Sequence, residues 1–146
     1  MRDVHDVPEG LPPLTGSAVA CLASILELET AEVPAPPADH PQPWTVWRTW
    51  LARRGLGLVP IADPADFAWP GPWLAVLRGE GRQVCAVAYG SPSTIVWHPF
   101  GGPETFDDVE AGYVVAPADV ALWSRAEQTT SRTAGRVEAI AIAAAA

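Results

Sequence analysis

Lysine is absent from this chain: all nine basic side chains are arginine, against 17 acidic ones, for a net charge of −8. An acidic chain without a basic stripe is a poor partner for nucleic acid, whose binding rests on neutralising phosphates. Cysteine is scarce as well. The two present, Cys21 and Cys85, lie far apart in apolar surroundings, and without an export signal they read as free thiols rather than a disulfide. Three scattered histidines, His5, His40 and His98, add no pair at ligand spacing, so no metal site is expected. Gly55-Leu56-Gly57 lacks the rest of a dinucleotide fingerprint, and nothing in the pattern requires a cofactor. No apolar run approaches the ~18 residues of a spanning helix, so no membrane segment is expected. Residues 1–15 carry acids and prolines where a secretory leader needs a basic and then an apolar stretch, which makes a cytoplasmic location the expectation.

What is present is apolar residue, at 49% of 146 positions, enough for one folded domain and too little chain for two. Sixteen prolines, abundant alanine and the arginine-only basic set fit a GC-rich bacterial genome. Residues 1–14 read as an irregular arm. A first helix is expected over about residues 17–28, with Val19, Leu22, Ile25 and Leu26 at helical spacing and Ser17 as its cap. Five prolines within residues 33–43 predict an extended loop without a core of its own. A second helix, about 44–54, carries Trp44, Trp47, Trp50 and Leu51 on one face and ends at Gly55. Strands are expected at Leu56–Ile61, Trp73–Leu77, Val84–Tyr89, Thr94–Trp97 and Tyr113–Val115, with a hairpin through Arg78–Arg82. Helices first and a meander afterwards imply an α+β layer structure. A short helix at 117–128 is the expectation beyond the last strand, and residues 126–146 read as an Ala-rich tail or appended helix, leaving 15–125 as the single domain.

The segment Thr15-Gly16-Ser17-Ala18-Val19-Ala20-Cys21 is the most distinctive, a Gly-Ser pair at the mouth of an apolar helix. A nucleophile there gains from the helix dipole and from unpaired N–H groups. Three pieces resemble, in order, a small papain-like cysteine-peptidase family of bacteria and phages. The first is Ser17 followed by Cys21-Leu22-Ala23-Ser24-Ile25-Leu26 and Glu32-Val33-Pro34. The second is Leu51-Ala52-Arg53-Arg54-Gly55-Leu56, and the third joins Cys85-Ala86-Val87-Ala88 to Trp97-His98-Pro99. The resemblance covers roughly residues 14–116 and implies a papain-like α+β fold, with N-terminal helices packed on an antiparallel sheet. It also places the family's nucleophilic cysteine at Ser17, its general-base histidine at Cys85 and its orienting aspartate at His98. All three are substituted. A serine beside a cysteine has no competent base near neutral pH, so papain-type peptidase activity is not expected.

Two functions then compete. One is a repurposed enzyme acting on a small, largely apolar molecule by dehydration, conjugate addition or cyclisation. His98, Cys85 and Ser17 would supply its chemistry, and Trp97, Trp73, Trp69, Tyr89 and Tyr113 its aromatic pocket. The other is a non-catalytic relative that binds a peptide, a carrier or a partner protein through the tryptophan-rich surface and the proline loop. The bland readings are a cap for Ser17, core packing for Cys21 and Cys85, and a strand-end cap for His98. Asp107, Asp108 and Glu110 read as a solvated acidic loop. His98 and Cys85 lining an apolar cavity closed from bulk water favour the enzyme; sealed in the core, or open on a flat face, they favour binding.

Overall fold

The computed structural model describes residues 7–79, 82–90, 94–97 and 109–118. Two helices come first, α1 (Pro13–Leu26) and α2 (Pro43–Arg53). Five strands follow: β1 (Leu56–Pro60), β2 (Trp69–Gly79), β3 (Arg82–Gly90), β4 (Thr94–Trp97) and β5 (Val109–Pro117). The strands form one antiparallel sheet in the order β1-β5-β2-β3-β4. The chain is therefore α+β, as its element order predicts. No helix among the described residues is long and apolar enough to cross a membrane.

Helix α1 starts at Pro13, four residues before the expected position, because Pro13 supplies a preset φ and needs no amide partner in the first turn. Gly16 does not break it. A β-carbon there would lie 2.9 Å from Val7 Cγ1, so glycine is what lets the N-terminal arm cross α1 at this point. The helix ends at Leu26, where Glu27 adopts the left-handed conformation (φ 57°) and the Leu28 amide reaches the Ala23 carbonyl at 2.9 Å. Ten successive residues, Thr15 to Ser24, are buried, so α1 is an interior helix covered all round. Helix α2 also opens on a proline, and the chain turns out of it through Gly55 at φ 74°.

The sheet divides the core in two through the period-2 alternation of its strands. Leu74, Val76, Cys85, Val87, Ala111, Tyr113 and Val115 face the helices, packing with Val19, Leu22 and Trp47. Trp73, Ala75, Leu77, Val84, Ala86, Val114 and Val59 form the cluster on the other face, with Phe67 and Trp69 against it. On that second face a β-carbon at Gly112 would come 2.7 Å from Trp73 Cζ3, so glycine makes room for the indole.

Register irregularities account for the strand limits that sequence misplaces. Between Leu77↔Val109 and Val76↔Ala111 strand β5 has one extra residue, Glu110. Glu110 is thus part of β5 and not of a solvated acidic loop: it pairs with Arg78 at 2.9 Å and accepts from Gln83 Nε2 at 2.6 Å. A second extra residue, Val96, lies between Val87↔Trp97 and Ala88↔Ile95 and is 48% exposed. Strand β2 extends back to Trp69 through Pro70 and Pro72, which have no N–H for the ladder, and its register with β3 shifts there. Gly79↔Arg82 closes the expected hairpin. The proline-rich loop is more than a spacer, since Val33 belongs to the helix-side core and the Pro34 carbonyl accepts the Trp47 indole N–H at 2.9 Å. The expected helix at 117–128, the tail at 126–146, and Asp107 and Asp108 lie outside the described residues.

Candidate functional site

Helix α1 lies on β3, and Ser17 meets Cys85 at their contact. Ser17 is the fifth residue of α1, not its cap, because the helix begins at Pro13 with Pro12 in the cap position. Its hydroxyl donates back to the Leu14 carbonyl at 3.1 Å and accepts the Cys85 backbone N–H at 2.8 Å. One side chain therefore serves one acceptor within α1 and one donor in β3, 68 positions away in sequence. Both residues are fully buried, as is Cys21 one turn further along α1. Burial pushes the Cys85 thiol up to about 12, and the adjacent Ser17 hydroxyl offsets part of the rise. Cys21 is raised well above the ordinary thiol range, first by burial and then by the nearby Cys85. Both cysteines are free thiols, and neither has the thiolate character that nucleophilic chemistry needs. Ser24, a further polar residue buried in α1, has no hydrogen-bond partner for its hydroxyl among the described residues.

Among the described side chains, the aromatic set does not converge on one cavity. Trp73 is fully buried on the sheet face away from the helices, edge-on to Phe67 at 5.7 Å, while Trp69 stacks on Phe67 at 6.1 Å. Tyr113 lies on the opposite face, against Trp44 at 5.6 Å and beneath the Arg48 guanidinium at 5.6 Å. Tyr89 is 45% exposed near the end of β3. Trp97 takes part in β4 through its backbone pairing to Val87, and its side chain lies outside the description. His98, the position equivalent to the orienting aspartate in the resemblance, and His5 lie outside the described residues. His40 holds the proline loop through its Nδ1, which accepts the Gln42 amide at 3.0 Å.

A groove forms between α2 and the proline loop, two of the segments the binding reading points to. Trp44, Trp47 and Leu51 hold α2 to the core, with the Trp44 and Trp47 rings 5.0 Å apart edge-to-face. The neighbouring stripe of α2 faces out. Thr45, Val46, Thr49, Trp50 and Arg53 combine with Pro34 of the proline loop to line a trough of about 310 Å³. Trp50 forms part of its wall while its ring carries the Arg54 guanidinium at 5.1 Å. The signal for this stripe was present as the spacing of Thr45, Thr49 and Arg53 at every fourth position. It is hidden because Trp50 falls within the apolar set that anchors the helix.

No groups of three or more histidine, cysteine or acidic residues able to hold a metal occur among the described residues. No protein family, curated protein or solved structure matches this chain.

Proposed function

We propose that this chain is a papain-like relative that works by binding a peptide or partner protein, without turnover at the former nucleophile position. The observation that carries this reading is the saturated Ser17 hydroxyl. A serine nucleophile needs its proton handed to a base and its oxygen free to attack. Here the proton goes to a backbone carbonyl and the oxygen holds a backbone amide, both within the core. The group supplied by β3 at this contact is a backbone N–H, and the thiol beside it is held protonated by burial. The contact of Ser17 with Cys85 across α1 and β3 is used to join helix to sheet. An enzyme acting on an apolar molecule would need the aromatic set to share one pocket, and Trp73 and Tyr113 lie on opposite faces of the sheet.

Chemical labelling of the native protein tests this. A fluorophosphonate should leave Ser17 unmodified, and iodoacetamide should leave Cys21 and Cys85 unmodified until denaturant is added, with adduct positions read by mass spectrometry. Stoichiometric labelling of Ser17 or Cys85 in the native state overturns the reading.

A further inference from the structure

We infer that the trough between α2 and the proline loop takes a peptide segment of a partner protein in which an acidic residue adjoins a bulky apolar one. The inference rests on the binding reading above and names its site and its ligand chemistry. The trough has two kinds of lining. Pro34, Val46 and the Trp50 ring provide an apolar wall that is only partly buried, while Thr45, Thr49 and Arg53 provide hydroxyls and a cation at its exposed side. A volume of about 310 Å³ holds one or two side chains and not a folded element.

Charge selects the occupant. In a chain of net charge −8, three of the nine arginines, Arg48, Arg53 and Arg54, fall within seven consecutive positions at the end of α2. Arg48 and Arg54 rest on the rings of Tyr113 and Trp50. Among the described residues no carboxylate pairs with Arg53. Glu32, next but one before Pro34, makes no ion pair with Arg53, and one of its carboxylate oxygens accepts the Glu29 amide at 2.8 Å. Among the described residues the Arg53 cation therefore has no counter-charge beside the apolar wall, and a carboxylate next to an apolar side chain satisfies both surfaces together. The trough is open along its exposed side, where Thr45, Thr49 and Arg53 all face solvent. That shape suits a segment continuing past both ends better than a free small acid, which would leave much of itself in water.

The test uses the full chain and three fluorescein-labelled decapeptides, one alternating glutamate with leucine, one lysine with leucine, and one glutamate with serine. Fluorescence anisotropy should detect binding of the Glu/Leu peptide alone, weakening as NaCl is raised from 50 to 500 mM. Arg53→Glu should weaken that binding by roughly tenfold or more, and Thr49→Trp, which fills the trough, should do the same. Both positions are exposed, so unchanged melting temperatures are expected and separate lost binding from lost fold. Equal binding of the Lys/Leu peptide, or of N-acetyl-leucinate as competitor at the same concentration, overturns the assignment. So does insensitivity to both variants, or self-association of the protein that Thr49→Trp abolishes, which would place a second copy in the trough. If no peptide binds while Ser17 and Cys85 stay unlabelled, the trough assignment falls and the non-catalytic reading stands.

Discussion

Ser17 and Ser24 lie seven positions apart on one buried helix and have opposite energetic standing. The Ser17 hydroxyl is doubly used, and truncating it leaves the Cys85 amide as a buried donor without an acceptor. An orphaned buried donor costs about 1–3 kcal/mol. Ser17→Ala should therefore lower the unfolding free energy by about that amount in urea titration. Ser24 carries a buried hydroxyl with no partner among the described residues, so Ser24→Ala should be neutral or stabilising, helped by the higher helix propensity of alanine. Equal losses from the two substitutions would mean that the Ser17 bridge is not what separates them. The identity of both residues was legible in the sequence, and so was their placement on one apolar helix. Their difference was not, because it depends on which hydroxyl finds a partner on β3.

At the level of elements, the two helices differ in what ties them down. Helix α1 is held by burial on every side, with the N-terminal arm crossing it at Gly16. Helix α2 is amphipathic: Trp47 and Leu51 are fully buried while Thr45, Thr49 and Arg53 face out. The start of the proline loop is tied to α2 by the bond from the Trp47 indole to the Pro34 carbonyl. Trp47→Phe keeps the aromatic packing and removes that donor, so it should cost about 1–3 kcal/mol and increase hydrogen exchange in residues 33–42 more than in the sheet. Uniform exchange across the chain would show that the bond does not hold the loop. Both helices and all five strands were readable from apolar spacing, with limits misjudged at the places where proline or an extra residue changes the rules. Pro13 moved the start of α1, and Glu110 and Val96 are extra residues that no alternation pattern reveals.

For the whole molecule, the two buried thiols tie global stability to pH. An unfolded cysteine loses its proton near pH ~8.5. In the folded protein Cys85 keeps its proton to about pH 12, and Cys21 is raised in the same direction. The folded state then binds more protons than the unfolded state within that window. The thiols' contribution to stability should be level below pH ~8 and fall as pH rises toward 12, with a slope of up to ~1.4 kcal/mol per pH unit for each thiol. Urea midpoints measured from pH 7 to 11 should fall less steeply for Cys85→Ala than for the unsubstituted chain; parallel curves would remove Cys85 as a cause.

The α+β class, the order of helices before strands and the acidic charge with its arginine-only basic set all follow from the residues read in order. These are local properties, set by side-chain type and spacing along the chain. Folding adds that Ser17 bridges α1 to β3 instead of capping a helix, that Trp73 and Tyr113 lie on opposite faces of the sheet, and that the outward stripe of α2 forms a trough with Pro34. Each of these depends on residues far apart in sequence meeting in one place. Pairing register and helix docking settle that, and neither is written in the period of a single segment.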